Sequence, residues 1–234
     1  MDMIPMLILY VAKKFGLKIT LSSRLEAIKR AGLKVIVLIL LTVVTKASAR
    51  TSSSFSNVHE NTVVFKVLKN NKTIGTIEIV KQESNNTITY NLNSEIRAKL
   101  IFKFKVVGKE TYVFRNGVLE YSSLYRTLND KVKVNQSLVY ENGSYHLKKP
   151  DQEIALDLEA IQKNLITLYF QEPKNTKTVY CDNQGEMLGI QHVHQGVYKV
   201  IFSNGKYNTF YYENGRCVKI EAVSPLFKVT LIPS

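Results

Sequence analysis

Short runs of alternating apolar and polar residues, rich in Tyr, Phe, Val and Ile, follow one another along most of this chain. Alternation with a period of two predicts half-buried β-strands. Asn-Gly pairs fall between several of these runs and suit the centre of a type I′ hairpin turn, where both residues adopt positive φ. The four pairs are Asn116-Gly117, Asn142-Gly143, Asn204-Gly205 and Asn214-Gly215. The pattern therefore predicts an antiparallel meander.

Most of the chain after residue 60 reads as strand. The predicted strands lie near residues 61–69, 73–81, 86–93, 96–106, 109–115, 118–126, 132–140 and 144–148, then 176–181, 187–194, 197–203, 206–212, 216–223 and 226–232. The predicted breaks beside the Asn-Gly pairs are Asn70-Asn71, Ser84-Asn85, Gly108 and Asn129-Asp130. A sheet of about 13 strands cannot stay flat, so it is expected to curl, close into a barrel or split into two packed layers. The fold class predicted is all-β, a long meander curled into an open or closed barrel-like sheet.

Residues 157–170 interrupt the strand pattern. Their apolar positions, 158, 161, 165 and 168–169, recur at helical spacing. Asp157 suits a helix N-cap and Pro173 would stop the helix. We expect one short helix that covers a sheet face or plugs a barrel end.

The Asn-Gly pairs also predict strand register when each is treated as a two-residue turn. The turn at Asn204-Gly205 pairs Tyr198 with Tyr211, and the turn at Asn214-Gly215 pairs Tyr211 with Val218 and places Glu213 opposite Arg216. This register collects one apolar face: Tyr198, Val200, Phe202, Tyr207, Thr209, Tyr211, Val218, Ile220 and Ala222.

The earlier turns give matching predictions. Asn116-Gly117 pairs Phe114 with Leu119 and Tyr112 with Tyr121, and Asn142-Gly143 pairs Tyr140 with Tyr145 and Leu138 with Leu147.

The amino-terminal part of the chain reads as a targeting signal. Residues 33–44 are apolar except for Lys34 and Thr42, basic residues precede them, and Ala47-Ser48-Ala49 follows. A basic region, a short apolar core and a small-residue site are typical of a secretory signal peptide. A permanent anchor is the weaker reading, since a membrane span needs about 20 apolar residues. We expect cleavage after Ala49.

The domain organisation follows from this cleavage. It leaves residues 50–234 as a single β-rich domain in the periplasm or outside the cell. Residues 1–49 are interpreted as an amino-terminal extension and signal peptide. Either translation starts downstream of Met1, or the protein has a long signal peptide with a functional extension.

Composition and charge narrow the choice of partner only slightly. The 234 residues are 45% hydrophobic and 22% charged, which is typical of a globular protein. The formal net charge is +13, of which residues 50–234 carry +7. An anionic envelope surface or nucleic acid would suit this excess. No run of five or more like charges marks a binding patch, so a solvated surface is the simpler interpretation, and export argues against nucleic acid.

Candidate catalytic and metal-binding residues are few. His192 and His194 are spaced to share one strand face and a metal. The predicted turn at Gln195-Gly196 puts His192 beside Lys199, which opposes a cation, and the local sequence lacks a third ligand. Glu172 is a candidate acid, although a charge at the helix end is the simpler interpretation. Phosphate-binding, nucleophile-elbow and zinc-protease motifs are absent from the sequence, so no cofactor and no metal are expected.

Cys181 and Cys217 are the only two cysteines. An exported compartment permits a disulfide between them. In a simple meander they lie four strands apart, too far for the ~4.4–6.8 Å Cα separation that a disulfide needs. Two buried thiols are the alternative.

Two segments of this chain resemble a known family. They are Ile166-Thr-Leu-Tyr-Phe-Gln-Glu-Pro173 and Tyr211-Tyr-Glu-Asn-Gly-Arg-Cys-Val-Lys-Ile220. Both resemble the exported bacterial proteins of domain-of-unknown-function family 6134, over roughly residues 60–232. The resemblance implies an exported, β-rich bacterial protein and implies no activity. The long amino-terminal extension departs from the short signal usual in that family.

These inferences favour a non-enzymatic exported protein that holds a hydrophobic small molecule or lipid inside its curled sheet, as lipocalin-like carriers do. A structural or interaction module of the cell envelope is the first alternative, and a hydrolase with an unrecognised site is the second. The expected partners are a hydrophobic small molecule or an envelope component, without nucleic acid. Membrane contact is expected only through the signal segment before its cleavage.

Overall fold

The computed structural model describes residues 58–99, 103–202, 205–225 and 227–234. The predicted signal peptide and its cleavage site at Ala47 and Ala49 lie outside these residues. Within the described residues, no helix has the length and apolarity needed to cross a membrane.

The described chain is an antiparallel meander, as the sequence predicts. Its strands are β1 His59–Lys69, β2 Lys72–Ser84, β3 Thr87–Lys99, β4 Lys103–Arg115, β5 Val118–Leu128, β6 Lys131–Glu141, β7 Ser144–Lys149, β8 Gln152–Leu156, β9 Thr178–Cys181, β10 Glu186–His194, β11 Val197–Ile201, β12 Tyr207–Glu213, β13 Arg216–Ser224 and β14 Phe227–Pro233. All belong to one sheet in the order β8-β7-β6-β5-β4-β3-β2-β1-β14-β13-β12-β11-β10-β9.

The sheet curls but does not close. Among the described residues, β8 and β9 form its two edges and do not pair with each other. The turn after β9 nevertheless reaches back across the curl, where Gln136 Nε2 on β6 donates to the Asp182 carbonyl at 2.6 Å. The result is barrel-like, with residues 157–177 passing between the two edges.

The predicted helix over residues 157–170 is wrong in kind and length. Only Leu165–Tyr169 is helical, as a 3₁₀ turn, and all five of its residues are buried. The residues before it bond outward to the sheet: Leu119 N–H donates to the Ile161 carbonyl at 2.8 Å and Tyr180 N–H to the Lys163 carbonyl at 3.0 Å. These bonds replace the intrahelical ones. The apolar spacing reflects burial inside the curl.

The predicted break at Gly108 is also wrong. Gly108 lies within β4, opposite Ser94 on β3. The pairing between β3 and β4 continues on both sides of Gly108 without interruption. The chain between β3 and β4 is residues 100–102, outside the described residues.

Strand register is confirmed beside three of the four Asn-Gly turns and lost farther away. Phe114 pairs with Leu119, and Tyr140 with Tyr145. The predicted Tyr112–Tyr121 pair is wrong, because a bulge after Val113 sets Tyr112 opposite Ser122. Each bulge adds one residue to one strand and shifts every later pair.

Two further pairings confirm the turns themselves. Leu138 pairs with Leu147, and Glu213 with Arg216. The central residues of the three turns that the structure describes have positive φ, for example 50° at Asn116 and 79° at Gly117.

The predicted apolar face of β11–β13 is partly wrong for two reasons. The register predicted from a two-residue turn at Asn204-Gly205 is wrong by one residue: Ile201 pairs with Tyr207 and Tyr198 with Phe210, without a bulge between them. A bulge between β12 and β13 then sets Tyr211 opposite Lys219 and not Val218. As a result Phe210 and Tyr212 are buried, whereas Tyr207 and Tyr211 are only partly buried. The ammonium groups of Lys199 and Lys219 lie over these two tyrosine rings, at 3.8 and 3.7 Å from the centroids.

Apolar side chains of the strands and of residues 161–170 form one continuous core. Tyr169 packs edge-to-face against Phe65 on β1, at 5.2 Å between centroids, and Phe210 on β12, at 6.3 Å. Phe170 packs against Tyr90 on β3 at 5.3 Å. Residues 161–170 therefore lie where a carrier of this shape would hold its ligand.

Candidate functional site

An open cleft of about 880 Å³ lies at the end of the sheet where the β10–β11 and β12–β13 turns meet. We call it the turn cleft. Residues 172–177, which follow the 3₁₀ turn, form one wall. Gln195-Gly196, Asn214-Gly215 and the side chains of His192, Tyr198 and Tyr212 form the rest.

Tyr198 is the centre of the turn cleft. Its hydroxyl donates to Glu172 Oε1 at 2.9 Å, and the other carboxylate oxygen of Glu172 lies 3.4 Å from Lys174 Nζ. The His192 ring lies in tilted contact with Tyr198, at 5.0 Å between centroids and 37° between planes, and Tyr212 meets Tyr198 edge-on at 5.7 Å and 80°. Burial, together with the hydrogen bond to Glu172 and the charge of that carboxylate, raises the pKa of Tyr198. Its hydroxyl therefore stays a neutral donor.

This arrangement depends on one glycine. Gly196 has φ +71°, and its carbonyl accepts a hydrogen bond from Tyr212 N–H at 2.7 Å. A Cβ at this position would lie 2.5 Å from the Tyr212 carbonyl oxygen. Only glycine lets the β10–β11 turn approach β12 this closely.

The predicted pairing of His192 with Lys199 is wrong by one residue. A bulge between His192 and His194 sets His192 opposite Tyr198, not Lys199. This shift brings His192 and Glu172 into one cleft. The cleft wall does not include His194, whose Nδ1 lies 3.3 Å from the Gln195 carbonyl. The described residues hold no group of three side chains suited to a metal ion.

A second cleft of about 620 Å³ continues along the same segment. It shares residues 174–177 with the turn cleft and extends to residues 157–163 and Met187. Lys163 Nζ donates to Thr176 Oγ1 at 2.8 Å and holds the shared wall to the segment ahead of the 3₁₀ turn.

A buried polar cluster lies at the opposite end of the curl. Arg126 on β5 donates from Nε to Glu110 Oε1 at 2.8 Å and from Nη1 to Asn183 Oδ1 at 3.2 Å. The Tyr112 hydroxyl donates to Glu110 Oε2. Asn164 Nδ2, just ahead of the 3₁₀ turn, donates to Asp182 Oδ2 at 2.9 Å. The cluster ties β4 and β5 to the turn after β9.

The pKa values of the two carboxyls of this cluster are shifted in opposite directions. Burial raises the pKa of Asp182 to about 6, and the charge of Glu110 adds to this, against opposing hydrogen bonds from Ser122 and Asn164. Burial also acts to raise the pKa of Glu110, but the Arg126 charge and the bonds from Tyr112 and Arg126 outweigh it and hold that pKa below its usual value. Because the cluster is buried, these groups are suited to holding the curl together.

Cys181 and Cys217 are buried thiols and not two halves of a disulfide. Burial raises the pKa of Cys217 to about 12. A thiol with this pKa carries almost no thiolate at neutral pH and is unreactive.

Sequence reasoning found His192 and Glu172 but missed Tyr198 as the residue between them. It also missed the cluster of Glu110, Arg126 and Asp182. The only sequence signal for the turn cleft was the pair of glycine turns at Gly196 and Gly215. Because two antiparallel strands separate these turns, both lie at the same end of the sheet.

The sequence and the fold were compared with known proteins. The sequence model described as Domain of unknown function (DUF6134) matches residues 65–234. The fold resembles the crystal structure of a β-barrel-like protein of domain of unknown function DUF1849 from Brucella abortus, with a TM-score of 0.51 and 12% sequence identity, covering 76% of this chain and 95% of that one. No curated protein matches. At this identity the structural likeness concerns the fold alone, whereas the family match covers most of the chain. The chain therefore belongs to domain-of-unknown-function family 6134.

Proposed function

We propose that this protein is an exported, non-enzymatic binding protein of the cell envelope, and that it binds a small polar ligand in the turn cleft. The observation that carries the proposal is the environment of Tyr198. Two rings in tilted contact, those of His192 and Tyr198, adjoin a carboxylate, two ammonium groups and several amides in an open cleft of about 880 Å³. Binding sites typically combine an aromatic wall with a few convergent polar groups. A sugar, with one apolar ring face and several hydroxyls, is the simplest ligand of this kind.

A hydrophobic ligand inside the curl is the weaker hypothesis. Residues 161–170 lie in that space, and the Tyr212 hydroxyl donates to the Leu168 carbonyl at 2.6 Å. An interior ligand would have to displace this segment and leave its buried carbonyls without partners, at about 1–3 kcal/mol for each lost bond. The turn cleft needs no such rearrangement.

Catalysis is the third hypothesis. His192 and Glu172 do share the cleft, as a hydrolase would require. However, the Glu172 carboxylate already accepts from Tyr198 and lies beside Lys174. A carboxylate held in this way orients its neighbours and binds ligand donors, so binding is the better use of this geometry.

Export rests on the sequence, through the apolar stretch at residues 33–44 and the Ala47-Ser48-Ala49 site. Amino-terminal sequencing of the protein recovered from the periplasm or medium tests it. The expected first residue is Arg50, and recovery with residues 1–49 intact in the cytoplasm would contradict export.

Calorimetric titration with oligosaccharides of the cell envelope, such as N-acetylglucosamine oligomers and soluble peptidoglycan fragments, tests the turn cleft. His192→Ala removes the exposed ring and is expected to weaken binding about tenfold, equivalent to about 1.4 kcal/mol. His194→Ala is the matched control, because that ring lies outside the cleft wall, and it should leave affinity unchanged. Equal effects of the two changes, or no binding by the unaltered protein, would contradict the proposal.

A further inference from the structure

The meander collects positive charge at the end of the sheet opposite the turn cleft. Four connections of the β1–β8 half lie there, between β1 and β2, β3 and β4, β5 and β6, and β7 and β8. Ten partly or fully exposed basic residues lie within three positions of these connections: Lys69, Lys72, Arg97, Lys99, Lys103, Lys105, Lys131, Lys133, Lys148 and Lys149. We call this set the basic end.

Few acidic residues offset the basic end. Within the same three positions lie Asp130, Asp151 and Glu153. Counting also Glu95, which forms an ion pair with Arg97, the basic end has an excess of six positive charges, against a net charge of +7 for all of residues 50–234. The sequence has no long basic run, so only the strand order shows that these residues share one end.

The strand register sets like charges directly against each other there. Lys69 pairs with Lys72, Arg97 with Lys105, and Lys99 with Lys103. Like charges directly opposite each other on neighbouring strands destabilise a sheet. The Glu95 carboxylate beside Arg97 relieves one of these pairs. A layer of anions beside the basic end would relieve the repulsion between Lys99 and Lys103.

The layout of the basic end favours a surface as its partner. The charges lie on β1–β4, β6 and β7, and the seven neighbouring strands from β1 to β7 extend over roughly 30 Å along the curl at ~4.8 Å per strand. A charged bilayer offers negative groups over such an area, whereas a nucleic-acid strand would need a groove with aromatic rings for its bases. Val132 lies between Lys131 and Lys133 and is 51% exposed. An exposed apolar residue flanked by lysines suits the boundary between headgroups and acyl chains.

We propose that the basic end docks the protein on a bilayer of anionic phospholipids, through the lysines that flank the β3–β4 and β5–β6 connections. The turn cleft, at the other end of the strands, then faces away from the membrane and stays open to its ligand. Membrane contact is no longer confined to the signal segment, as the sequence alone suggested. The docking surface does not depend on the turn cleft having a ligand.

Vesicle co-sedimentation of the full chain tests this docking. Phosphatidylglycerol-containing vesicles are compared with pure phosphatidylcholine vesicles at low and high salt. Every variant carries the same residues 1–49, so a difference between variants reports on the sheet. Lys99→Gln with Lys103→Gln removes one like-charge pair and is expected to weaken binding to anionic vesicles roughly 25-fold, about fivefold for each charge. Arg115→Gln with Arg216→Gln removes the same charge at the opposite end and is the matched control.

The expected result is salt-sensitive binding to anionic vesicles that the Lys99 and Lys103 changes weaken and the control changes do not. Equal loss in both double variants would overturn the proposal, since net charge alone would then explain the binding. No preference for anionic over neutral vesicles would overturn it as well. So would binding to heparin or single-stranded DNA without binding to vesicles, which would assign the basic end to a soluble polyanion.

Discussion

The guanidinium of Arg126 lies 2.7 Å from the carboxylate of Glu110, and the two side chains are only 3% and 1% exposed. The two residues lie on adjacent strands, and Arg126 also contacts Asn183 in the turn after β9. The ion pair orients Arg126, and the Arg126–Asn183 hydrogen bond joins the two halves of the curled sheet at the end away from the turn cleft.

Neutralising Glu110 is expected to destabilise the fold strongly. Glu110→Gln leaves the buried charge of Arg126 uncompensated, which typically costs about 3–5 kcal/mol in the free energy of unfolding. Urea unfolding measures this loss. Glu120→Gln, in the exposed Arg115–Glu120 pair, is the control and should change stability by less than about 1 kcal/mol. Similar losses in the two variants would show that the buried pair does not hold the curl.

Asp182 is expected to make stability fall as pH rises. Its pKa in the folded protein, about 6, lies above its ordinary value of 3.8, so the folded state binds the proton more tightly. The stabilising contribution of this proton is complete below the unfolded pKa and is lost as pH rises through about 6, by up to roughly 3 kcal/mol.

Asp182→Asn tests this pH dependence, because the amide keeps an oxygen for Asn164 and carries no charge. Between pH 4 and pH 7 the free energy of unfolding of the unaltered protein should fall relative to that of the variant, which lacks the titrating carboxyl. Urea unfolding across this range supplies the measurement. A difference that does not change with pH would refute the role assigned to Asp182.

The hydroxyl groups of two buried tyrosines, Tyr212 and Tyr169, are expected to contribute differently to stability. Tyr212→Phe removes the donor to the Leu168 carbonyl and should cost about 1–3 kcal/mol, because that buried carbonyl loses its partner. Tyr169→Phe is the matched change. The Tyr169 hydroxyl is buried without a hydrogen-bond partner among the described residues, so its loss should be neutral or slightly stabilising. Thermal unfolding of the two variants compares them, and the reverse order would mean that residues 161–170 are held differently.

The two glycines of the turn cleft give a similar comparison. Gly196→Ala and Gly215→Ala both place a side chain at positive φ, at 71° and 76°. Only the alanine at 196 would also approach the Tyr212 carbonyl, at 2.5 Å, whereas a Cβ at 215 meets nothing within 4 Å. We expect Gly196→Ala to lower stability more and to move the Tyr198 ring resonances. Equal destabilisation would show that the close approach of the two turns does not matter.

Local chemistry made part of this fold predictable. The turns at Asn116-Gly117 and Asn142-Gly143 fix the pairs beside them, including Phe114 with Leu119 and Tyr140 with Tyr145. Bulges leave no sequence mark, and the register between β11 and β12 departs by one residue from the predicted two-residue turn, so the faces of β11–β13 were only partly predicted.

The long-range features were beyond sequence reasoning. Residues 157–163 have helical apolar spacing, but their carbonyls bond to strands distant in sequence, so tertiary contacts decide their conformation. Asn164 and Asp182 likewise meet only because the sheet curls. The basic end required the strand order before its charges could be grouped.

The central claim is that the turn cleft, and not the interior of the curl, is the ligand site. Backbone amide chemical-shift mapping, during titration with envelope oligosaccharides and separately with a lipid extract, tests it most directly. We expect saturable shifts at residues 172–177, 190–198 and 212–215 with the saccharide, and none at Phe65 or Leu124 in the core. Shifts centred on Phe65, Leu124 and Tyr169 with the lipid extract, and none in the cleft with any saccharide, would contradict it.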